Sequence, residues 1–276
     1  MSAIDRFFTG GVALPSMPEV ARQLIASFQD DAVDLRTITD LAEREQSIAV
    51  KVIRVANSAR YSPTRDVASL RDAAIILGME SLRNIVLSSA ILQAFPRAQG
   101  LDRIRFWKHS IATGGYARWL GRLLGVDSDS SYLAGFMLRS GQLLMARSIP
   151  TLIADVEARC RFPGARMRVE RELIGCTHAE VTAELSRRWS LPVRLSSAFS
   201  ATPAPLAETP PSLLAITLHM AALMADAGDL SLDPIAALGH QAPQLLQHLR
   251  IDATWLSTQK PPTWAELTSA VEEMAG

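Results

Sequence analysis

The sequence has few cysteines, few aromatic residues and no excess charge of either sign. Its 276 residues include two cysteines and an aromatic content of 6%. Cys160 and Cys176 are too few for a disulfide framework, and they lack the Cys-x-x-Cys spacing of many zinc sites. Lys plus Arg and Asp plus Glu each total 28, so the formal net charge is zero. Proteins that bind nucleic acids or anionic membranes electrostatically usually have a basic excess. We therefore expect no nucleic-acid partner and no membrane partner.

Long apolar runs are also missing. The most apolar stretch, residues 213–225, contains His219 and falls short of the roughly 20 residues that span a bilayer. Residues 1–11 contain Asp5 and only short apolar runs, which is not typical of a signal peptide. Hydrophobic residues nevertheless make up 48% of the chain, enough to bury a core. The sequence predicts a cytoplasmic protein with reduced thiols.

Helical periodicity is the main structural pattern. Apolar residues recur every three or four positions, and neither hairpin turns nor alternating strand–helix units interrupt them. Thr177 with Glu180, and Thr263 with Glu266, have the spacing of helix capping boxes. Residues 129–148 are predicted to form one helix, and a helix after Ser69 is predicted to end near Gly78. Gly114 is expected to permit close helix approach. The pattern predicts an all-α protein.

Several short motifs occur in an order that resembles the HDOD family, the HD-related output domains of bacterial signalling proteins. They are residues 14–20 (LPSMPEV), 55–59 (VANSA), 69–78 (SLRDAAIILG), 82–84 (LRN), 106–110 (FWKHS), 132–135 (YLAG), 172–175 (ELIG) and 178–181 (HAEV). The resemblance implies a two-lobed helical bundle within an HDOD domain of residues 12–228. Residues 12–96 would form its N-terminal helical lobe and residues 101–228 a degenerate HD-like lobe. Residues 229–276 would add a C-terminal helical extension.

The family is related to metal-dependent phosphohydrolases, whose His and Asp ligands hold metals that activate water. In the pattern that the resemblance implies, Leu138 and Arg139 replace the consecutive His and Asp, and Ala222 replaces a later Asp. Leu has no lone pair to offer a metal, and Arg is a permanent cation. The remaining positions of the degenerate site are His109, His178 and His219. We therefore predict no catalytic residue, no metal and no cofactor.

Structural roles also account for the individual site residues. His109 fits a hydrogen-bonded core histidine, His178 the first turn of a helix, and His219 a partner for a backbone carbonyl. Five arginines, interleaved with Glu157, Glu170 and Glu172, fit a solvated, salt-bridged surface better than an anion site. Those arginines are Arg159, Arg161, Arg166, Arg168 and Arg171. Arg139, Arg166 and Arg168 stay candidates for contact with an anion or a partner.

Three environments are open for Arg139: solvent, a buried pair with a carboxylate, or the wall of the former metal cleft, where it would hold a phosphate-bearing effector. The resemblance favours a non-catalytic signalling module that acts on protein partners of a bacterial pathway. The alternative is a metal-dependent phosphohydrolase or phosphodiesterase with a rearranged HD site.

Overall fold

A computed structural model describes residues 2–9, 16–27, 34–58, 61, 67–95, 100–269 and 271. Within these residues every regular element is a helix, so the predicted all-α fold class is confirmed. The predicted boundaries at residues 12 and 96, and motif positions 14, 15 and 59, lie outside the described residues. In chain order the helices are α1 (Arg6–Thr9), α2 (Glu19–Ser27), α3 (Leu35–Glu43), α4 (Gln46–Ala56), α5 (Leu70–Ala94), α6 (Arg103–Leu124), α7 (Ser128–Met137), α8 (Ser140–Ser148), α9 (Pro150–Arg159), α10 (Ala165–Ile174), α11 (His178–Arg188), α12 (Val193–Ala201), α13 (Leu213–Asp229), α14 (Pro234–Gln241), α15 (Pro243–Leu249), α16 (Ala253–Thr258) and α17 (Trp264–Thr268).

The chain divides into two compact units. One contains residues 15–97 and 270–276, and the other contains residues 1–14 and 98–269. In the first unit, α2, α3 and α4 each pack on α5, and Leu24, Ile38 and Val52 are fully buried. The long helix α5 bends at Gly78, whose φ is +73° and whose backbone is non-helical. This bend lies where the sequence predicts a helix end.

No single helix in the described part of the chain is long and apolar enough to cross a membrane. The two halves of α5, Leu70–Met79 and Ser81–Ile91, reach that length and composition together, with a bend of 110° between them.

The second unit is organised around α6, which packs against α7 and α13. Small residues on α6 allow α7 to approach closely, as predicted. A Cβ atom at Gly114 would lie 3.0 Å from both the ring and the carbonyl oxygen of Tyr132. A larger residue there would require the ring or the backbone of Tyr132 to shift. The packing holds the polar residues of α6 against those of α13, where the candidate site lies.

The structure corrects the predicted helix over residues 129–148, which is two helices, α7 and α8, separated at Leu138 and Arg139. The Leu138 carbonyl accepts a hydrogen bond of 2.8 Å from the Thr182 hydroxyl, and the same hydroxyl accepts one of 2.8 Å from the Gly141 N–H. These contacts from α11 take backbone groups that a continuous helix would pair internally. Tertiary hydrogen bonding therefore outweighs local helical periodicity at this point.

Both predicted capping boxes are confirmed. Thr177 and Glu180 exchange side chain–backbone hydrogen bonds at the start of α11, and Thr263 and Glu266 do so at the start of α17. The first box makes His178 the first residue of α11 and thereby sets its position in the site.

Candidate functional site

A cavity of about 350 Å³ lies in the unit formed by residues 1–14 and 98–269. Its walls include most of the positions that the sequence marks as a degenerate site, together with three of the five clustered arginines: His109, Arg139, Arg166, Arg168, Arg171, His178, His219 and Ala222. Leu138 is fully buried and lies outside this lining. Residues that are up to 117 positions apart in the chain, from His109 to Asp226, thus meet around one cavity.

The histidine of α6 pairs with a carboxylate of α13. His109 Nε2 lies 2.7 Å from Asp226 Oδ1, and His109 Nδ1 lies 3.1 Å from the Thr113 hydroxyl. Burial and the positive charge of Arg139 lower the pKa of His109 to about 4. The imidazole is therefore neutral at pH 7 and donates from Nε2 to the carboxylate. As predicted, His109 is a hydrogen-bonded core residue.

Asp226 supplies the carboxylate beside His109. The family resemblance implies an Asp at position 222, where this chain has Ala222. Asp226 lies one helical turn after Ala222 on α13. Burial raises the pKa of Asp226, but its hydrogen bond with His109 and the charge of Arg139 outweigh burial and lower that pKa well below its usual range. The second oxygen of Asp226 accepts a hydrogen bond of 2.9 Å from the backbone N–H of Gly164. Both carboxylate oxygens are thus engaged by the protein.

Gly164 can present its N–H to Asp226 because it is a glycine. It caps α10 in the left-handed conformation, with a φ of +79°, which residues with a side chain rarely adopt. A Cβ atom at this position would also lie 2.6 Å from a methyl carbon of Leu223. The turn at residues 161–164 is therefore specified by both backbone conformation and lack of space.

Arg139 begins a chain of buried polar contacts. Its Nε donates to Gln142 Oε1 over 2.9 Å, and Gln142 Nε2 donates to Glu157 Oε1 over 2.9 Å. Arg166 Nη2 donates to the other oxygen of Glu157 over 2.8 Å. Arg139 Nη2 and Arg105 Nη1 lie 4.0 Å and 3.8 Å from that same carboxylate. One glutamate thus lies among three arginines.

Electrostatics keep this cluster ionised. Burial raises the pKa of Glu157, but Arg166, Arg139 and Arg105 outweigh burial and lower that pKa to about 2. Burial and the neighbouring Arg166 lower the pKa of Arg139 to about 10. Burial lowers the pKa of Arg166, but the charge and hydrogen bond of Glu157 outweigh burial and raise that pKa. All four groups are charged at pH 7. Because Arg139 is 5% exposed, the solvent environment considered for it is wrong.

A second buried pair joins α10 to α11. Glu170 Oε2 accepts hydrogen bonds of 2.7 Å from both the backbone N–H and the ring Nδ1 of His178. Glu170 is fully buried, and burial raises its pKa, but His178 and Arg166 outweigh burial and lower it. The sequence interpretation of a solvated surface is therefore wrong for Glu157, Arg166 and Glu170. The arginines and glutamates alternate in sequence, yet these three lie on the buried faces of α9 and α10.

Unmatched hydrogen-bonding capacity remains between these two pairs. Arg166 Nη1 and Glu170 Oε1 are 4.0 Å apart, and within the described residues neither buried atom has a hydrogen-bond partner. A buried donor without a partner is costly because it has lost its hydration. Arg166, whose Nη1 lacks a partner, is one of the residues that line the cavity.

The remaining lining residues are less tightly held. His219 Nδ1 lies 2.8 Å from the Thr202 carbonyl oxygen, to which it donates, as the sequence predicts. Arg168 and Arg171 are half-exposed and pair with Glu172 and Glu180 at 2.7 Å each, so the solvated interpretation is confirmed for them. Apolar groups complete the wall, namely Met167, Pro203, Ala204, Ala222 and Leu223.

These residues do not fit the divalent metal of a hydrolytic HD site. Among the described residues, no group of three or more His, Cys, Asp and Glu side chains is arranged to hold a metal ion. His109 and His178 each direct a ring nitrogen to a different carboxylate, and His219 directs one to a backbone carbonyl. Arg139 and Arg166 place two permanent positive charges on the same cavity wall. The arrangement favours binding of acceptors and anions over binding of cations.

The sequence singles out none of Gln142, Glu157, Glu170 and Asp226 as part of the site. The spacing of Asp226 could have indicated it, because Asp226 follows His219 by two helical turns and lies on the same face of the helix. For Glu157 and Glu170 the alternation with arginine indicated pairing but not burial. Nothing in the spacing of Gln142 distinguishes it from a surface residue.

Comparison with known proteins identifies the same fold. The family model of the HDOD domain matches residues 14–205. An HDOD domain protein of unknown function from Geobacter sulfurreducens superposes with a TM-score of 0.76 at 22% identity, covering 99% of this chain and 97% of that one. A Shewanella amazonensis protein, named provisionally as a phosphohydrolase, gives 0.71 at 24% identity, covering 99% and 96%. A Marinobacter aquaeolei protein, named provisionally as a signal transduction protein, gives 0.73 at 20% identity, covering 99% and 62%.

Among curated proteins, an uncharacterised protein of Treponema pallidum is 21% identical over 184 residues. The match covers 65% of this chain but 35% of the relative, so the chain spans about a third of that relative's length.

Proposed function

The chain belongs to the HDOD family, and we propose that it is a non-catalytic regulatory module of a bacterial signalling pathway. The observation that supports this role is the guanidinium of Arg139 in the cavity wall, at the position where the family resemblance implies a metal ligand. In a hydrolytic HD site the metal would activate water and offset phosphate charge. Here a buried arginine, fixed by Gln142 and close to Glu157, provides positive charge but no vacant coordination position.

The electrostatics of the cavity support this proposal. A divalent cation next to Arg139 and Arg166 would be repelled by two charges that stay protonated at neutral pH. Asp226, an oxygen donor that could attract such a cation, already accepts hydrogen bonds through both of its oxygens. Binding a metal there would require those bonds to break.

The alternative function is a metal-dependent phosphohydrolase with rearranged ligands. Elemental analysis of the purified protein, combined with hydrolysis of bis(p-nitrophenyl) phosphate in Mn²⁺, Ni²⁺ or Mg²⁺, tests the two functions against each other. We expect far less than one transition-metal ion per chain and no turnover. A stoichiometric metal that is lost in His109→Gln, together with turnover that is lost in the same variant, would establish the hydrolase instead.

As a regulatory module the protein would act through other proteins of the pathway, in the cytoplasm. Cross-linking in the native cell, followed by affinity capture and mass spectrometry, should recover signalling components with the wild-type protein. A filter-binding assay across a salt titration checks the expectation that nucleic acid is not the partner, since nucleic-acid binding would weaken steeply with salt.

A further inference from the structure

The cavity wall contains two buried arginines whose hydrogen-bonding capacity exceeds what the protein supplies. A guanidinium has five N–H donors. Within the described residues, Arg139 donates one hydrogen bond, to Gln142, and Arg166 donates one, to Glu157. Arg166 Nη1 is buried without a partner, and Arg139 Nη2 is 4.0 Å from the nearest oxygen of Glu157, beyond hydrogen-bond distance. Both side chains are at least nine-tenths buried, and the Arg166 Nη1 atom itself is out of contact with solvent.

The carboxylates that neighbour these two arginines, in contrast, are largely satisfied. Asp226 accepts from His109 and from the Gly164 N–H, and one oxygen of Glu170 accepts twice from His178. Glu157 differs in its partners, because both of its hydrogen-bond donors, Gln142 and Arg166, are side chains. Asp226 and Glu170 also accept from backbone N–H groups. No backbone donor therefore fixes the Glu157 carboxylate, which can move when its side-chain partners turn to another acceptor.

Glu157 also shows that one anionic group can face both guanidiniums at once. Its oxygens lie 2.8 Å from Arg166 Nη2 and 4.0 Å from Arg139 Nη2. A phosphate has a similar span and more acceptor oxygens, so it can accept from both arginine forks together. The apolar wall of Met167, Pro203, Ala204 and Leu223 would contact the organic part of such a ligand. A volume of about 350 Å³ is within the range of small-molecule sites.

We propose that the cavity binds a small organic phosphate, whose phosphate group replaces the Glu157 carboxylate between Arg139 and Arg166. Glu157 is then an internal competitor that occupies the anion position until the ligand displaces it. The proposal rests on the proposed function, because the cavity binds the phosphate ester without cleaving it.

Calorimetric titration of the full chain with inorganic phosphate and with phenyl phosphate, at constant ionic strength, tests this site. We expect phenyl phosphate to bind more tightly than inorganic phosphate because its ring contacts the apolar wall. Arg139→Gln should weaken binding of both probes about tenfold or more, as expected for a lost charged hydrogen bond. Glu157→Gln should strengthen binding, since it removes the competing negative charge and leaves an amide oxygen that can accept from Arg166. Arg187→Gln is the matched control, because Arg187 is exposed on α11, pairs with Glu184 and is not among the cavity-lining residues.

Equal affinities in the wild type, Arg139→Gln and Arg187→Gln would overturn the site. Absence of binding of either probe to both the wild type and Glu157→Gln would also overturn it. Circular dichroism establishes that each variant is folded, and Arg139→Gln gives an independent answer if Glu157→Gln unfolds. Cleavage of phenyl phosphate by the wild type would refute the proposed non-catalytic function, whereas absence of binding without cleavage would refute the ligand site alone.

Discussion

Replacing Arg166 with methionine tests the buried ion-pair cluster most directly. Arg166 side-chain exposure is 8%, and its guanidinium lies 2.8 Å from Glu157 and 4.0 Å from Glu170. At 4 Å and an effective dielectric constant of about 20, two unit charges attract by roughly 4 kcal/mol. Methionine retains most of the apolar stem but leaves two carboxylates without that cation. Breaking a buried pair from one side typically costs about 3–5 kcal/mol, which is the loss of unfolding free energy expected here.

Arg168→Met is the matched control for this substitution. Arg168 lies two positions later on the same helix and pairs with Glu172, but both side chains are more than half exposed. Exposed pairs of this kind contribute about 0–1 kcal/mol. The two variants therefore differ in burial of the pair while sharing residue type, helix and chemical change.

Urea unfolding followed by tryptophan fluorescence measures both variants. All five tryptophans lie in the unit that contains the cavity: Trp107, Trp119, Trp189, Trp255 and Trp264. The fluorescence transition therefore reports on that unit, and a lower midpoint at unchanged slope indicates lost stability. Adding Glu157→Gln to Arg166→Met should cost less than the sum of the single changes, because the neutral amide needs no cation. If Arg166→Met costs no more than Arg168→Met, the buried-pair reasoning is wrong.

Three further outcomes are expected from the same structure. Because the pKa of His109 is about 4 in the folded protein and 6.5 in model compounds, its contribution to stability is present above pH 6.5 and is lost as pH falls towards 4. The loss should reach about 3 kcal/mol, and urea midpoints at pH 7 and pH 4.5 should differ less in His109→Gln than in the wild type. Gly164→Ala should lower the thermal midpoint more than Gly125→Ala, since both glycines have positive φ but a methyl at residue 164 also meets Leu223; equal shifts would contradict the close contact. Thr182→Val should cost about 1–3 kcal/mol by leaving two backbone groups at the α7–α8 break unpaired, and Thr182→Ser should restore most of that stability in urea unfolding.

Local patterns in the chain predicted much of the fold. The capping boxes at Thr177 and Thr263 and the bend near Gly78 depend on residues within a few positions of each other, and the close helix approach at Gly114 was expected from the lack of a side chain at that residue. The order of motifs likewise indicated the family that the HDOD match then established. Local periodicity did not predict the break at Leu138 and Arg139, because the hydrogen bonds that stabilise it come from Thr182, far along the chain.

By itself, the sequence determined the helical class, which depends on residue type and short spacing, and its resemblance to the HDOD family predicted Leu138 and Arg139 in place of a His-Asp pair. The tertiary structure decided what replaced that pair. It brought Asp226 to His109, enclosed Glu157 among three arginines and buried Glu170 against His178. The charge of a side chain can be read from the sequence, but its hydration and its partners depend on how separate helices pack. The anion-favouring character of the cavity therefore arises only in the folded chain.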